Sequence, residues 1–290
     1  MKKGIGRRMS ELYHRAKPDP VDRAYHRSMP PTAIALRELD ERGFTRLEGV
    51  VAPERRERLV GRIDVLFAEE GEHAGSEFRP EPGAPRLANL ADKGDVFVEC
   101  ALEPGVLELV GHVLGARFKL SSLDARSALP GDAAAQPLHC DMGALPDSKG
   151  FWVCNALFML DDFTAENGSL RAVPGSHRSG RLPAEALADP RGPHPDEVLV
   201  TGRAGDVVVM NAHLWHAGTA NRSPRRRLAL HSFYCRADKP QQQYQKRLLR
   251  PETAARLSPE ARAMLALDDP LNDALSAAGE GGSGFLGVRS

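Results

Sequence analysis

The sequence predicts a mainly β fold with flanking helices, of the sandwich, jelly-roll or barrel kind. Apolar residues recur at helical spacing up to about residue 115. From residue 117, seven short segments of strand-like composition are separated by Gly, Pro, Asp and Asn. Helical patterning returns over residues 251–275. Short strands at this spacing are typical of β sandwiches and barrels.

Three helices are predicted ahead of the β region. The first covers residues 32–42, with Thr32 as its N-cap. A strand-like segment, FTRLEGVV, follows it, and Pro53 then begins a second helix with apolar residues at helical spacing. Residues 103–115 form the third helix, which Gly115 ends.

The predicted strands follow one another in the second half of the chain. Their sequences are RFKLSSLDARSAL, QPLHCDM, FWVCNALFML, GSLRAVP, DEVLVT, GDVVVMNAHLWHA and RRRLALHSFYCR. We expect one domain over residues 31–278, preceded by a basic, loosely ordered arm (1–30) and followed by a Gly-rich flexible tail (279–290). Residues 71–95 are polar and rich in Gly and Pro, which is typical of a functional loop or lid.

The composition excludes several classes of protein. The 290 residues include 39 basic and 39 acidic ones, so nothing in the net charge favours a dedicated nucleic-acid binder. The charge is nevertheless uneven, since residues 201–250 hold ten bases and two acids while residues 64–103 hold ten acids and three bases. The basic stretch is typical of a solvated face, or of a site for an anionic ligand.

Cysteine spacing and hydropathy indicate the compartment. The four cysteines show no paired spacing such as C-x-x-C, so neither a disulfide scaffold nor a structural zinc site is expected. No apolar run approaches the length of a membrane span, and no apolar signal region follows the N-terminal lysines. We therefore expect a cytoplasmic protein, a monomer or weak homo-oligomer, without nucleic-acid or membrane partners.

Two predicted strands carry residue types that bind metals. In QPLHCDM, strand alternation places His139 and Asp141 on one face and Cys140 on the other. The strand GDVVVMNAHLWHA runs into His213 and His216, which differ in parity, so only one of them can face a central cavity. Each pattern is also compatible with a surface strand end or with a core histidine bonded to a carbonyl.

The last predicted strand opens with three arginines, Arg225, Arg226 and Arg227. A basic run is usually a solvated edge, yet an arginine here can reach a cavity beside the histidines and bind a carboxylate through its planar fork. Two histidines and one carboxylate occupy one face of an octahedral metal, an arrangement that suits Fe(II) oxygenases. The open positions can take a 2-oxo acid such as 2-oxoglutarate and O₂.

These blocks together resemble the phytanoyl-CoA dioxygenase family of Fe(II)/2-oxoglutarate oxygenases, over about residues 36–235. QPLHCD (136–141) is similar to the family's Q-x-x-H-x-D stretch, and ENGSLRAVPGSH (166–177) is similar to its E-N-G…P-G-S-H segment. The Gly-Asp pair at 205–206, His216, Asn-Arg-Ser and Arg227 complete the pattern. The resemblance implies a double-stranded β-helix (jelly-roll, cupin-like) core.

The resemblance also implies the chemistry of the site. His139, Asp141 and His216 would bind Fe(II), and Arg227 would bind the far carboxylate of the co-substrate 2-oxoglutarate. The implied reaction is hydroxylation, or another oxidation, of an unactivated C–H bond in a small molecule such as a natural-product intermediate, with O₂ consumed and succinate and CO₂ released. A carboxylate at position 141 favours hydroxylation over halogenation.

Further positions follow from the same comparison. Gln136 matches a position near the inner end of the co-substrate, and strand parity adds Asn155. Many family members carry Ser where this chain has Gly218, so we expect Thr219 or water to take over that contact. Candidate substrate contacts are Arg86, Asn89, Arg126 and Trp215.

The segments that close the pocket are expected to come from the arm, from residues 71–95 and from the C-terminal extension. The acidic sign of the 64–103 stretch weakly disfavours an anionic substrate such as a CoA thioester. Two alternatives stay open, namely a metalloenzyme on the same fold that does not use 2-oxoglutarate, and a catalytically silent binding protein.

Overall fold

The computed structural model describes residues 31–78, 85–131 and 135–276, so the predicted arm (1–30) and tail (279–290) lie outside the described residues. The described strands are β1 (Phe44–Leu47), β2 (Arg86–Leu87), β3 (Phe118–Ala128), β4 (Val153–Met159), β5 (Leu170–Ala172), β6 (Val198–Val200), β7 (Val207–Asn211), β8 (His216–Gly218) and β9 (Arg227–Arg236). They form two antiparallel sheets, one in the order β1-β7-β4-β9-β3-β2 and the other in the order β6-β5-β8.

The helices lie before, between and after the strands. They are α1 (Pro31–Arg42), α2 (Pro53–Glu70), α3 (Asp95–Ala101), α4 (Pro104–Leu114), α5 (Pro183–Ala186), α6 (Gln245–Leu248), α7 (Pro251–Arg256), α8 (Pro259–Met264) and α9 (Pro270–Ser276). The three predicted N-terminal helices are confirmed as α1, α2 and α4. The structure adds α3, which is too short to show a helical period in the sequence.

The larger sheet is buried on both faces, and alternation along its strands divides the core in two. One face packs Ala156, Phe158 and Leu230 against the helices. The other face packs Leu157 and Met210 against the small sheet. The second layer encloses the inner space in which the site lies, as expected for a mainly β sandwich of jelly-roll type.

Several predicted boundaries are wrong. Thr32 is not an N-cap, because α1 already includes Pro31. The segment QPLHCDM is extended but forms only one bridge, His139 with His216, before a short 3₁₀ turn over Asp141–Gly143. The predicted strand 205–217 is split into β7 and β8 by a turn in which the Asn211 side chain accepts a hydrogen bond from the backbone N–H of His213, at 3.2 Å. This turn carries the chain from one sheet to the other.

The predicted loop over residues 71–95 is only partly a surface segment. It contains β2, and Leu87, Ala88 and Leu90 are fully buried in the core. The C-terminal extension packs through α8 on β3, beside Leu120 and Leu265 in the helix-facing core. Residues 85–92 and this extension are therefore part of the folded body. Within the described chain, no helix is both long and apolar enough to cross a membrane.

Candidate active site

Three short segments bring the two histidines and the carboxylate together. The backbones of His139 and His216 exchange two hydrogen bonds of 3.0 Å, and the N–H of Asp141 donates to the carbonyl of Ala212 at 2.9 Å. The Asp141 Oδ1 atom lies 3.8 Å from His139 Nε2 and 3.5 Å from His216 Nε2. One ligand atom from each residue lies within 4.8 Å of the others, a spacing that fits one metal ion.

Hydrogen bonds to Nδ1 of the two triad histidines leave their Nε2 atoms available to a metal. The Nδ1 atom of His139 lies 2.9 Å from the Pro137 carbonyl, and that of His216 lies 2.8 Å from the Leu214 carbonyl. Because a carbonyl only accepts, each Nδ1 carries the proton and each Nε2 keeps its lone pair for a metal. The Asn155 amide donates to Asp141 Oδ2 at 3.2 Å, which orients the carboxylate.

The electrostatics also suit metal binding. Burial, reinforced by His216, lowers the pKa of His139 to about 4, so its ring is neutral at physiological pH. Burial disfavours the Asp141 carboxylate, but the two histidines outweigh this effect and hold the pKa of Asp141 below its usual range. The same carboxylate raises the pKa of His216 against the effect of burial. The ionised Asp141 carboxylate therefore offers a negative charge to which a metal cation can bind.

The side chains of His213 and Cys140 both lie away from the triad carboxylate, in agreement with the alternation of side chains along an extended segment. The His213 ring lies 5.2 Å from Phe151 and 5.8 Å from Trp152, centroid to centroid, and is outside the triad. Its Nδ1 atom lies 2.8 Å from the Asn211 side-chain oxygen. Cys140 is buried and donates from Sγ to the His213 carbonyl, away from the carboxylate of Asp141. His216, not His213, therefore lies with the first histidine and the carboxylate.

A cavity of about 120 Å³ that opens to solvent extends from the triad to Arg227. Arg227 is 9% exposed. Its guanidinium donates to the Gly168 carbonyl at 2.7 Å and lies 4.2 Å from the centre of the Phe163 ring. Burial lowers its pKa to about 10, which still leaves it charged at neutral pH. Among the described residues its Nε has no hydrogen-bond partner. A buried cation with an unused donor is suited to an anionic ligand.

The other predicted co-substrate residues also line this cavity: Gln136, Asn155 and Thr219. Gln136 accepts a hydrogen bond from the N–H of Gly218 at 3.0 Å, and the Thr219 hydroxyl donates to the Ser169 carbonyl at 2.9 Å. The backbone at Gly218 is therefore held by Gln136. A Cβ at position 218 would lie 3.2 Å from Gln136 Oε1, which is a close contact.

The four predicted substrate contacts lie in different places. Arg126 lines the cavity. Arg86, its register partner on β2, faces Asp124 at 3.9 Å and is outside the cavity lining, as is Asn89, which donates to the Leu248 carbonyl at 3.2 Å. Trp215 is buried in a separate cluster with Leu138 and Val173, because as the neighbour of His216 it points away from the cavity.

Sequence reasoning missed several residues of the cavity, and two of them, Phe163 and His231, bear on its chemistry. Phe163 lies in a loop after β4, and no local pattern predicts its place under Arg227. His231 also lines the cavity and shares the inner face of β9 with Arg227. That placement follows from alternation, since the two positions are four residues apart, and was available from the sequence.

The donor set fits an iron ion and a dicarboxylate. The triad supplies two imidazole nitrogens and one carboxylate oxygen close together, and all three residues line the cavity. Two buried polar atoms of cavity residues, Arg227 Nε and Asn155 Oδ1, have no partner among the described residues. Buried polar atoms of this kind are costly unless a ligand or water pairs with them.

Comparison with known sequences identifies relatives of this chain. The family model for phytanoyl-CoA dioxygenase (PhyH) matches residues 39–229. The "Dioxygenase af480" of Aspergillus fumigatus is 26% identical over 243 residues, which cover 80% of this chain and 76% of that protein.

Solved structures show the same fold. The non-heme alpha ketoglutarate dependent carbocyclase SnoK from nogalamycin biosynthesis is 22% identical, with a TM-score of 0.60 over 77% of this chain and 88% of that one. HygX from Streptomyces hygroscopicus, solved with nickel and 2-oxoglutarate bound, is 21% identical, with a TM-score of 0.58 over 71% of this chain and 87% of that one. Both likenesses establish the fold of the two-sheet core.

Proposed function

Because the chain belongs to the phytanoyl-CoA dioxygenase family, we propose that it binds Fe(II) and 2-oxoglutarate in this cavity and oxidises an unactivated C–H bond of a small molecule. Family membership makes it a 2-oxoglutarate-dependent dioxygenase. The single observation that carries the site assignment is the pairing of the His139–Asp141–His216 triad with the buried cation of Arg227 in one cavity.

Each side chain has a separate task in this proposal. The Nε2 atoms of His139 and His216 and the Asp141 carboxylate would hold the iron, and the two backbone carbonyls fix the rings in the tautomer that this requires. Arg227 would bind the far carboxylate through a charge-assisted, two-point contact. Gln136, Asn155 and Thr219 line the space between and would orient the co-substrate.

When bound, Fe(II), 2-oxoglutarate and O₂ supply the oxidising chemistry, with succinate and CO₂ as products. The chain supplies position and exclusion of water. Leu157, Leu170 and Met210 line the cavity with apolar surface, and they limit the access of water to the reacting atoms. Arg126 is the cavity residue that we assign to the substrate, whose carbon skeleton would lie on the apolar side chains.

We propose a natural-product intermediate as the substrate class, and hydroxylation as the reaction. The carbocyclase SnoK comes from nogalamycin biosynthesis, and one further relative, the L-proline trans-4-hydroxylase of Streptomyces griseoviridis, carries a hydroxylase name. The family resemblance adds that a carboxylate at position 141 favours hydroxylation over halogenation. Both points support oxidation of a small molecule rather than halogenation.

An anaerobic titration tests the proposal. Protein mixed with Fe(II) and 2-oxoglutarate under argon should develop a weak visible charge-transfer band, and His216→Ala should abolish it. His112→Ala is the matched control, since His112 is a partly exposed histidine on α4 that pairs with Asp40 and lies outside the cavity.

The outcome separates the alternatives. A metalloenzyme that does not use 2-oxoglutarate would bind the metal without the band, and Arg227→Gln would change nothing. A silent binding protein would show the band but no succinate on admission of O₂ with any of a panel of small-molecule substrates. Absence of both band and succinate in the unmodified protein would refute the oxygenase assignment.

A further inference from the structure

His231 is the residue of the cavity to which the proposed function gives no role. It lies in the middle of β9, opposite Asp124 of β3 and Leu157 of β4. Residues directly opposite one another in an antiparallel sheet point to the same face, so all three side chains face the inner space. Within the described part of the chain, the His231 ring makes no hydrogen bond, although it lines the cavity.

The register places His231 between the two ends of the proposed site. The inner face of β9 presents, in order, Arg227, Ala229, His231 and Phe233. Phe233 is opposite Asn155, the residue that orients the Asp141 carboxylate. A ligand that reaches from the triad to Arg227 therefore passes over Ala229 and His231. Ala229 is small and leaves room, whereas His231 is nearer the triad end and brings a polar ring.

The carboxylate opposite the ring already has other partners. Asp124, its neighbour across the strands, accepts a hydrogen bond from the Gln243 amide at 2.6 Å and lies 3.9 Å from Arg86. Burial lowers the pKa of His231 well below 6.5, and the Arg126 and Arg227 cations act in the same direction. The ring is therefore neutral, with one N–H donor, in a site that already holds two cations and would also hold a divalent metal.

We propose that His231 is a binding residue for the co-substrate, and that its imidazole N–H donates a hydrogen bond to the carboxylate or keto oxygen of 2-oxoglutarate at the end nearer the triad. The inference rests on the proposed function, since it needs 2-oxoglutarate in the cavity. A neutral donor satisfies an anionic oxygen without adding a further charge to the site.

Calorimetric titration of the full chain, loaded with Ni(II) or with Fe(II) under argon, tests this with two probes. One is 2-oxoglutarate; the other is 2-oxovalerate, which keeps the oxo-acid end but lacks the distal carboxylate. His231→Phe should weaken the binding of both probes about tenfold, the loss typical of a hydrogen bond to a charged group, while leaving metal affinity unchanged. His231→Gln, which restores an N–H donor, should stay within about threefold of the unmodified protein.

Two comparisons fix the interpretation. Arg227→Gln should weaken only 2-oxoglutarate, because 2-oxovalerate has no carboxylate for it, and His112→Phe should change neither. Should His231→Phe fail to fold, His231→Leu, which also lacks a donor, replaces it with the same expected tenfold loss.

The same titrations distinguish failure of the His231 inference from failure of the proposed function. Unaltered affinity for both probes in folded His231→Phe overturns the inference, as does a loss confined to 2-oxoglutarate, which would place the contact at the Arg227 end. If the unmodified, metal-loaded protein binds neither probe, the proposed function itself fails.

Discussion

Arg227→Met removes a buried cation while keeping most of the side-chain volume, and it separates function from stability. Arg227 is 9% exposed, and its guanidinium contacts the Phe163 ring and donates to the Gly168 carbonyl. Burial lowers its pKa from 12.5 to about 10, which corresponds to about 3 kcal/mol against the charged form in the folded protein. An anionic ligand beside the guanidinium would offset that cost.

The magnitudes follow from these contacts. Removing the charge relieves about 3 kcal/mol, while loss of the bond to Gly168 and of the contact with Phe163 costs about 1 to 3 kcal/mol together. Stability without ligand should therefore stay within about 2 kcal/mol of the unmodified protein. Loss of a two-point, charge-assisted contact with a carboxylate should weaken 2-oxoglutarate binding by roughly a hundredfold.

Denaturant unfolding with and without metal and 2-oxoglutarate measures both effects. At a concentration of 100 times its Kd, the co-substrate should stabilise the unmodified protein by about 2.7 kcal/mol, and it should stabilise Arg227→Met by less than about 0.5 kcal/mol. Arg226→Met is the control, because Arg226 is exposed just ahead of β9 and pairs with Asp64 at the surface. A loss of several kcal/mol without ligand, or unchanged stabilisation by 2-oxoglutarate, would refute the reasoning.

Three further predictions concern the frame of the site. Gly43→Ala should destabilise the fold by about 3 kcal/mol in denaturant unfolding, because φ is +85° there and a Cβ would lie 2.5 Å from His177 Nδ1; Gly49→Ala, with nothing within 4 Å of its Cβ, should cost less. Arg171→Met should cost about 3 to 5 kcal/mol by the same measurement, because it leaves Glu197 buried without the cation now 3.0 Å away; an Arg171→Met protein as stable as the original would contradict this. Stability should also fall as pH drops from 6.5 toward 4, since burial lowers the pKa of His177 and of His213 to about 4 and the unfolded chain then binds more protons than the folded one. Each histidine contributes up to about 3 kcal/mol to that loss, so the unfolding free energy of His213→Gln should fall less steeply with decreasing pH, and an unchanged slope would show that His213 does not contribute.

The sequence placed His139 and Asp141 on a common face, although the regular strand predicted for their segment is wrong. His139 and Asp141 face the same way because alternation holds in any extended segment, even where only one bridge forms. The end of that segment was not predictable, since Met142 takes a left-handed conformation (φ 61°) that its side chain does not favour. Similarly, parity separated His213 from His216 but did not say which of them faces inward.

For the three consecutive arginines too, the sequence predicted part of the arrangement and the tertiary structure decided the rest. Alternation put Arg225 and Arg227 on one face, and neither composition nor parity distinguished them further. In the structure Arg225 is exposed ahead of β9, and Arg227 is the first residue of the strand and is buried beside Phe163. The choice is made by a loop that follows β4, a contact between positions more than 60 residues apart.

What the sequence determined by itself were the mainly β class, the order of the elements, the faces of the strands and the residue types of a metal site, because these depend on periodicities of two and 3.6 residues that are local. What only the tertiary structure decided was which face of each strand encloses the cavity. Trp215 and Asn89 turned out to lie outside the cavity, and His231 inside it. The physical reason is that a cavity is formed by the packing of two sheets, whose residues are close in space although they are distant in the chain.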